Sequence, residues 1–290
     1  MRKNKFTMFD IVVHIIGALL LLIVLYPLIL ILSCSISDPQ LVATGKVLLL
    51  PKGINFNGYI QILKNQDILI GYANTIFYTV LGTIINLLVT VPAGYALTKK
   101  IAGGSFFMAF FMFMMYFSGG LIPSFLIVKG LGLYNTRAAL LILGAYNTYN
   151  CIVCRTFFAS LPKELEEAAT IDGCSVIGRF IKIVLPLSKA LLGVMVLYFG
   201  VGHWNSYFEA LIYIKDDAKQ PLQIFLRRIL ILAQQQATLE EAAEYAQSLA
   251  DLEALTRYSV IVVSSLPLLI IYPFLQKYFD QGVMIGSVKG

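Results

Sequence analysis

Charge is scarce in this sequence. Only 13% of its 290 residues are Asp, Glu, Lys or Arg, against about 25% in an average soluble domain. So few charges cannot cover a water-facing surface, which sets a soluble globular protein aside in favour of a polytopic membrane protein. Histidine is scarcer still. His14 and His203 lie far apart, with no His-Glu-x-x-His run and no acid pair, so a membrane enzyme would lack its chemistry. No catalytic residue, metal site or bound cofactor is expected. The four cysteines, Cys34, Cys151, Cys154 and Cys174, fall mostly in or beside apolar runs, which argues against a disulfide framework. Cys151-x-x-Cys154 has redox or metal-pair spacing, but no second pair or histidine cluster accompanies it. Two small packing residues is the better reading. The net charge of +6 is spread over loops without a basic block, which gives nucleic-acid binding no support. A phosphate-cradling Gly-x-x-x-x-Gly-Lys-Ser/Thr loop is missing too. Gly45-Lys46 lacks both the earlier glycine and the following hydroxyl residue.

Apolar runs are abundant. Hydrophobic residues make up 58% of the chain, and mean hydropathy is +0.79. About 20 apolar residues cross a bilayer as a helix. Six runs qualify: Ile11–Ser33, Tyr72–Leu97, Phe106–Val128, Ala138–Cys154, Ala190–Ile214 and Tyr258–Gln276. Glycine and proline interrupt several, which membrane helices tolerate. The first run follows Arg2, Lys3 and Lys5. It is longer than a signal-peptide core and lacks a small-x-small cleavage site, so an uncleaved helix is expected. With the N-terminus inside, twelve of the 22 Lys and Arg fall on cytoplasmic segments, at higher density than outside. Both termini are then cytoplasmic. The whole chain, 1–290, reads as a single all-α transmembrane domain with six helices. Residues 155–189 form a cytoplasmic loop, and 34–71 and 215–257 are the long outer segments.

Between the fourth and fifth runs lies a polar stretch, Glu166 to Pro186. It reads as two short helices. Ser160-Leu161-Pro162-Lys163-Glu164 offers an N-cap candidate, an early proline and acids in the first turn. Glu164, Glu166 and Glu167 suit the positive helix end. Ala168, Ala169 and Ile171 supply a small, partly apolar face, and Gly173 permits a turn. A second amphipathic run, Val176 to Ile183, ends at Leu185-Pro186, where the chain can bend. On physics alone this is equally a plug for a groove on another protein or an amphipathic pair lying on the membrane.

The spacing Glu167-Ala168-Ala169, three residues, Gly173, nine residues, Ile183-x-Leu185-Pro186 resembles the EAA loop of ABC importer permeases. Six spans with this loop between the fourth and fifth look like the type I permease fold of maltose-type carbohydrate importers. "FSGGLIPSFLIVKGLGLYNT" (Phe117–Thr136), "HWNSYFEALIYI" (His203–Ile214) and "YPFLQKYFDQGVMIGSVKG" (Tyr272–Gly290) resemble more narrowly the LplC/YtcP glycan and polysaccharide branch. The resemblance implies an oligosaccharide or glycan import permease of the bacterial cell membrane. Glu167, Ala168, Ala169, Asp172, Gly173, Ile183, Leu185 and Pro186 would then form the coupling element for a cytoplasmic ATPase. It also implies partners: a second homologous permease, two copies of the ATPase carrying ATP and Mg, and an extracellular solute-binding lipoprotein. The glycine-rich tail, Gly282 to Gly290, would reach the ATPases or fray as an ordinary terminus.

Sugars are held by aromatic faces and hydrogen-bonding groups, and polar groups in a span face a cavity or a neighbouring helix. Span five offers His203, Trp204, Asn205, Tyr207 and Glu209, with Asn205 and Glu209 four apart on one expected helical face. Span four offers Tyr146, Asn147, Tyr149 and Asn150. A substrate path through Asn205, Glu209, Trp204, Tyr207, Tyr146, Asn147 and Asn150 competes with an interfacial aromatic belt and with interhelical glue. In 215–257, Thr238, Glu240 and Glu241 start an expected helix, Leu239–Leu255. It could contact the binding protein or form a solvated cap. An ion-coupled secondary transporter is the rival class, with Glu209 as its candidate embedded acid.

Overall fold

The structure is a computed structural model that describes residues 8–99, 103–236, 256–274 and 276. Among these residues the fold is all-helical. The first elements are α1 (Met8–Ser35), α2 (Pro39–Ala43), α3 (Asn57–Lys64) and α4 (Gln66–Ala96). Then come α5 (Gly104–Tyr116), α6 (Leu121–Gly130), α7 (Arg137–Ile142), α8 (Thr148–Ala159) and α9 (Lys163–Ile171). The run α10 (Val176–Arg179), a wide π-type turn (Phe180–Val184) and α11 (Leu185–Leu187) are continuous. They are followed by α12 (Lys189–Trp204), α13 (Phe208–Tyr213), α14 (Leu222–Gln236) and α15 (Thr256–Phe274).

Three of these helices, α1, α4 and α15, are each long and apolar enough to cross a membrane unbroken. The most apolar stretch of α1 has none of its residues buried, as suits a helix facing lipid. The other expected spans are interrupted. The third is split into α5 and α6, which meet at 114°. Phe117-Ser-Gly-Gly120 separates them: Gly120 sits at φ +87, where most side chains are excluded, and Pro123 opens the first turn of α6. The fourth is split into α7 and α8 by 143–147, where Asn147 accepts the Asn150 N–H at 2.9 Å and so caps a new helix. The fifth ends at Trp204 and restarts at Phe208. Against the six expected spans, the described residues hold three helices long and apolar enough to cross unbroken, or up to five if each bent pair is one span. Glycine, asparagine and serine at these points give the backbone local alternatives to the helical ladder.

Two compact units divide the chain. One draws on Met1–Leu69 and Phe225–Pro267, the other on Ile70–Ile224 and Leu268–Gly290. In the first, serines tie the end of α1 to its neighbours. Ser33 donates to the Leu49 carbonyl at 2.6 Å, Ser35 shares a 2.8 Å hydrogen bond with the Tyr59 hydroxyl, and Ser259 donates to the Ser35 carbonyl at 3.2 Å. In the second, α4 is the spine. Its Asn74 donates to the Ala218 and Gln220 carbonyls at 2.8 and 3.1 Å, Tyr78 to the Lys219 carbonyl at 2.7 Å, and Thr75 accepts the Leu222 N–H at 2.8 Å. Asn135, at a left-handed φ of 60, accepts the Lys215 and Asp216 N–H groups at 3.0 and 2.9 Å. Hydrogen bonds from Lys219 and the Ala218 amide hold the Asp216 carboxyl below its ordinary range. The expected helix Leu239–Leu255, with Thr238, Glu240 and Glu241, lies outside the described residues, as does the tail Gly282 to Gly290.

Candidate functional site

The polar stretch folds as the expected helical pair, with different caps. Ser160 closes α8, its hydroxyl donating to the Phe157 carbonyl at 2.7 Å. The N-cap of α9 is Pro162, which offers no side-chain bond. This corrects Ser160 as the cap. Glu164 and Glu166 stand in the first turn, where the helix end favours acids. At the far end the Cys174 N–H donates to the Ala169 carbonyl at 2.9 Å and the Gly173 N–H to the Thr170 carbonyl at 3.1 Å. Those two bonds are a Schellman motif, which needs a left-handed residue at its centre. Gly173 supplies it at φ +76, with nothing within 4 Å of where a Cβ would stand. The Glu-Ala-Ala-x-x-x-Gly spacing is thus a helix and its own stop signal.

The loop presents an apolar tip. Ile171 is 87% exposed and Ile177 71%, with Val176 and Ile181 also exposed. Exposed isoleucines on a charged loop offer an apolar contact surface to a partner protein or to the membrane. Glu167, Ala168, Asp172 and Gly173 are exposed beside them, while Ala169 is buried. Ile183 and Leu185 are half-buried, and Leu185 packs against the core of Val91, Tyr95, Cys154, Phe158, Val184, Leu191, Met195 and Phe199. Pro186 is exposed. It has no N–H, and its ring crowds the carbonyl four residues back. The wide turn before it relieves that conflict. The bend follows at Ser188, where the run Val176–Leu187 meets α12 at 83°.

The pair is fixed to the end of α4. The Tyr95 hydroxyl donates to Glu166 Oε2 at 3.0 Å, and Lys99 pairs with the same oxygen. Lys99 Nζ also sits 4.3 Å over the Tyr95 ring. That ring stacks on Phe180 at 5.0 Å and meets Phe158 edge-on at 5.9 Å. Arg155 Nε donates to the Leu97 carbonyl at 3.3 Å. An alanine at Gly94 would place its Cβ 2.6 Å from Cys154 Cβ, so α4 and α8 touch backbone to side chain here. Cys151 and Cys154 are fully buried free thiols on α8. A cleft of ≈ 440 Å³ opens beside this junction, its walls including Thr98, Lys99, Lys163, Glu166, Thr170 and Arg179. Tyr95 and Lys99 carried no local sequence signal, because their partner lies about seventy residues away.

The proposed path residues divide. Asn205 caps the C-terminus of α12 and Glu209 opens α13, so the two are not on one helical face. Ser206 explains the break: its N–H turns back to the His203 carbonyl at 3.2 Å and its hydroxyl donates to Glu209 Oε2 at 2.9 Å. Asn205, Tyr207, Glu209, Asn147 and Tyr149 are exposed, and Tyr146 is half-buried with its ring 5.2 Å from Phe111. Trp204 is only 4% exposed. It packs edge-on against Tyr72 at 5.7 Å, and its carbonyl accepts Gln223 Nε2 at 3.4 Å. Asn150 is buried. The exposed polar groups thus collect at the breaks 143–147 and 205–207, and Trp204 and Asn150 serve the packing behind them.

Residues 68–285 match the family described as the binding-protein-dependent transport system inner membrane component. The chain belongs to that family. The permease is 40% identical over 269 residues to Protein LplC of Bacillus subtilis (strain 168), covering 92% of this chain and 90% of the relative. It is 35% identical over 289 residues to the polygalacturonan/rhamnogalacturonan transport system permease protein YtcP of the same organism, covering 99% and 100%. Its fold resembles a chain in the crystal structure of a bacterial ABC transporter involved in the import of the acidic polysaccharide alginate. The TM-score is 0.84 at 36% identity, covering 96% of this chain and 100% of that one. The permease is a multi-pass component of the bacterial cell membrane with the ABC importer permease fold.

Proposed function

We propose that this permease imports an oligosaccharide or glycan and that its 155–189 loop couples it to a cytoplasmic ATPase. The observation that carries the coupling is the exposed isoleucine tip on a helix pair anchored to α4. Glu167, Ala168, Asp172 and Gly173 form the docking face around that tip. Ala169 and Leu185 hold it against the permease, and Ile183 and Pro186 shape the turn that leads into α12. The likeness to YtcP and to the alginate importer favours an acidic glycan as cargo, and the +6 net charge agrees in sign. Asn205, Tyr207, Glu209, Asn147 and Tyr146 line the path, with Trp204 and Asn150 supporting it.

The assembly has a second homologous permease, two ATPase copies carrying ATP and Mg, and an extracellular binding lipoprotein. ATP closes the ATPase pair, which carries the coupling helices inward. The broken helices re-orient and the path opens outward to receive sugar; hydrolysis reverses the step. Each ligand shifts the equilibrium by its preference for one of two states. Family membership gives ion-coupled transport no support. Ile171→Asp with Ile177→Asp should abolish copurification of the ATPase with a tagged permease at unchanged membrane levels. Each isoleucine buried at an interface contributes about 1.5–3 kcal/mol, so an ATPase retained in full would remove the tip from the docking face.

A further inference from the structure

Behind the two breaks lies a polar knot. Asn86 projects from α4 and is 1% exposed. Its amide nitrogen donates to the carbonyl of Gly144, in the break between α7 and α8. Its Oδ1 lies 2.6 Å from Nε2 of His203, one residue before the end of α12. The Gly144 carbonyl can only accept, so the Asn86 NH2 turns to it and the Asn86 oxygen turns to His203; that oxygen can only accept, so Nε2 of His203 carries the proton. The surroundings are cut to the ring. An alanine Cβ at Gly82 would stand 2.5 Å from His203 Nε2, and one at Gly144 would stand 3.6 Å from Cε1. A carbonyl released by a helix break at membrane depth needs a partner, from the protein or from a water-lined path. The knot supplies that partner and joins α4, the 143–147 break and the end of α12.

We infer that Asn86 and His203 are positioning residues that hold the 143–147 and 205–207 breaks in register, so that the exposed polar groups on both breaks face one ligand together. The inference rests on the reading of those breaks as the substrate path. Neither residue touches substrate. Each fixes the backbone that carries Asn147, Asn205, Tyr207 and Glu209. Gly82 belongs to the device because any larger residue displaces the imidazole. The arrangement also gives α4 two attachments, Asn86 to the breaks and Tyr95 to the 155–189 loop. Asn86 and Tyr95 are nine residues apart on α4, about 14 Å along the helix.

The test uses the assembled transporter with its native cysteines replaced and spin labels at Leu143→Cys and Phe208→Cys, both exposed and outside the path. A narrow label-to-label distance distribution is expected in this parent. His203→Ala and Gly82→Ala should broaden or shift it, and His203→Gln, whose amide reaches the Nε2 position, should restore it. In His203→Ala and Gly82→Ala, the concentration of sugar-loaded binding protein that half-stimulates ATP hydrolysis should rise about tenfold, the equivalent of one buried hydrogen bond, with basal hydrolysis retained, and His203→Gln should keep the parent's value. An unchanged distribution in both His203→Ala and Gly82→Ala overturns the inference. So does equal loss of basal and stimulated hydrolysis in Gly82→Ala and His203→Gln, which would make the knot only a folding element. If the distance distribution changes in His203→Ala and Gly82→Ala while the half-stimulating concentration does not, the two breaks are held in register as inferred and the reading of them as the substrate path falls.

Discussion

Gly173 illustrates how one residue can serve two requirements. The first is internal. Its φ of +76 closes α9 through the Schellman motif, and an L side chain there costs roughly 1–2 kcal/mol, with asparagine the best tolerated. The second is external and belongs to the proposed docking: it sits exposed beside the isoleucine tip, so a partner seated there would approach its backbone closely. Two substitutions separate them. Gly173→Val violates both the turn and the approach, so it should lower membrane levels and abolish transport. Gly173→Asn preserves the turn but adds bulk, so it should leave membrane levels normal and still abolish transport. Uptake and immunoblots of membrane fractions check this. Normal uptake in Gly173→Asn would mean that the glycine is there for the turn alone.

At the scale of elements, α4 ties the loop to the membrane through Glu166. Lys99 and Glu166 are partly shielded, with side chains 32% and 21% exposed, and Tyr95 adds a hydrogen bond to the same carboxylate oxygen. A partly shielded pair of this kind contributes on the order of 1 kcal/mol. That is small for folding but enough to uncouple two elements. Lys99→Glu or Glu166→Lys alone should raise the ATP hydrolysed per substrate moved, and the double reversal should bring the ratio back. A double variant as uncoupled as either single would deny the latch. Little of this was legible in the sequence, because Lys99 and Glu166 belong to separate polar segments with no local pattern linking them. The helix pair around Gly173 was legible, since an alanine-rich turn followed by glycine encodes its own end. The long runs of α1, α4 and α15 were legible from length and apolarity. The breaks were not, because hydropathy averages across them and membrane helices commonly carry glycine unbroken. The Asn205–Glu209 face failed for the same reason: it assumed a helix through Ser206, whose side chain and N–H instead close the turn.

For the whole molecule the open physical question is which side of the bilayer each loop occupies. The hydrocarbon core is about 30 Å thick. At 1.5 Å per residue, the 16 residues of α12 rise about 24 Å and the six of α13 about 9 Å more. With α13 continuing the line of α12, the segment from Lys189 to Tyr213 is long enough to cross once, which would put the 155–189 loop and the 214–222 segment on opposite faces. Positive charge gives the direction: Arg155, Lys163, Arg179, Lys182 and Lys189 crowd the first loop, and such clusters stay on the cytoplasmic side. Single cysteines in a thiol-free background decide the matter. Ala218→Cys and Glu164→Cys both replace exposed side chains, so burial would not mask either. A membrane-impermeant maleimide should label position 218 in right-side-out vesicles and position 164 only in inverted or permeabilised ones. Labelling of both positions from the same side would mean that the broken helix turns back without crossing. The loop between α8 and α12 could not then be the cytoplasmic partner of an ATPase while the 214–222 segment faces the binding protein.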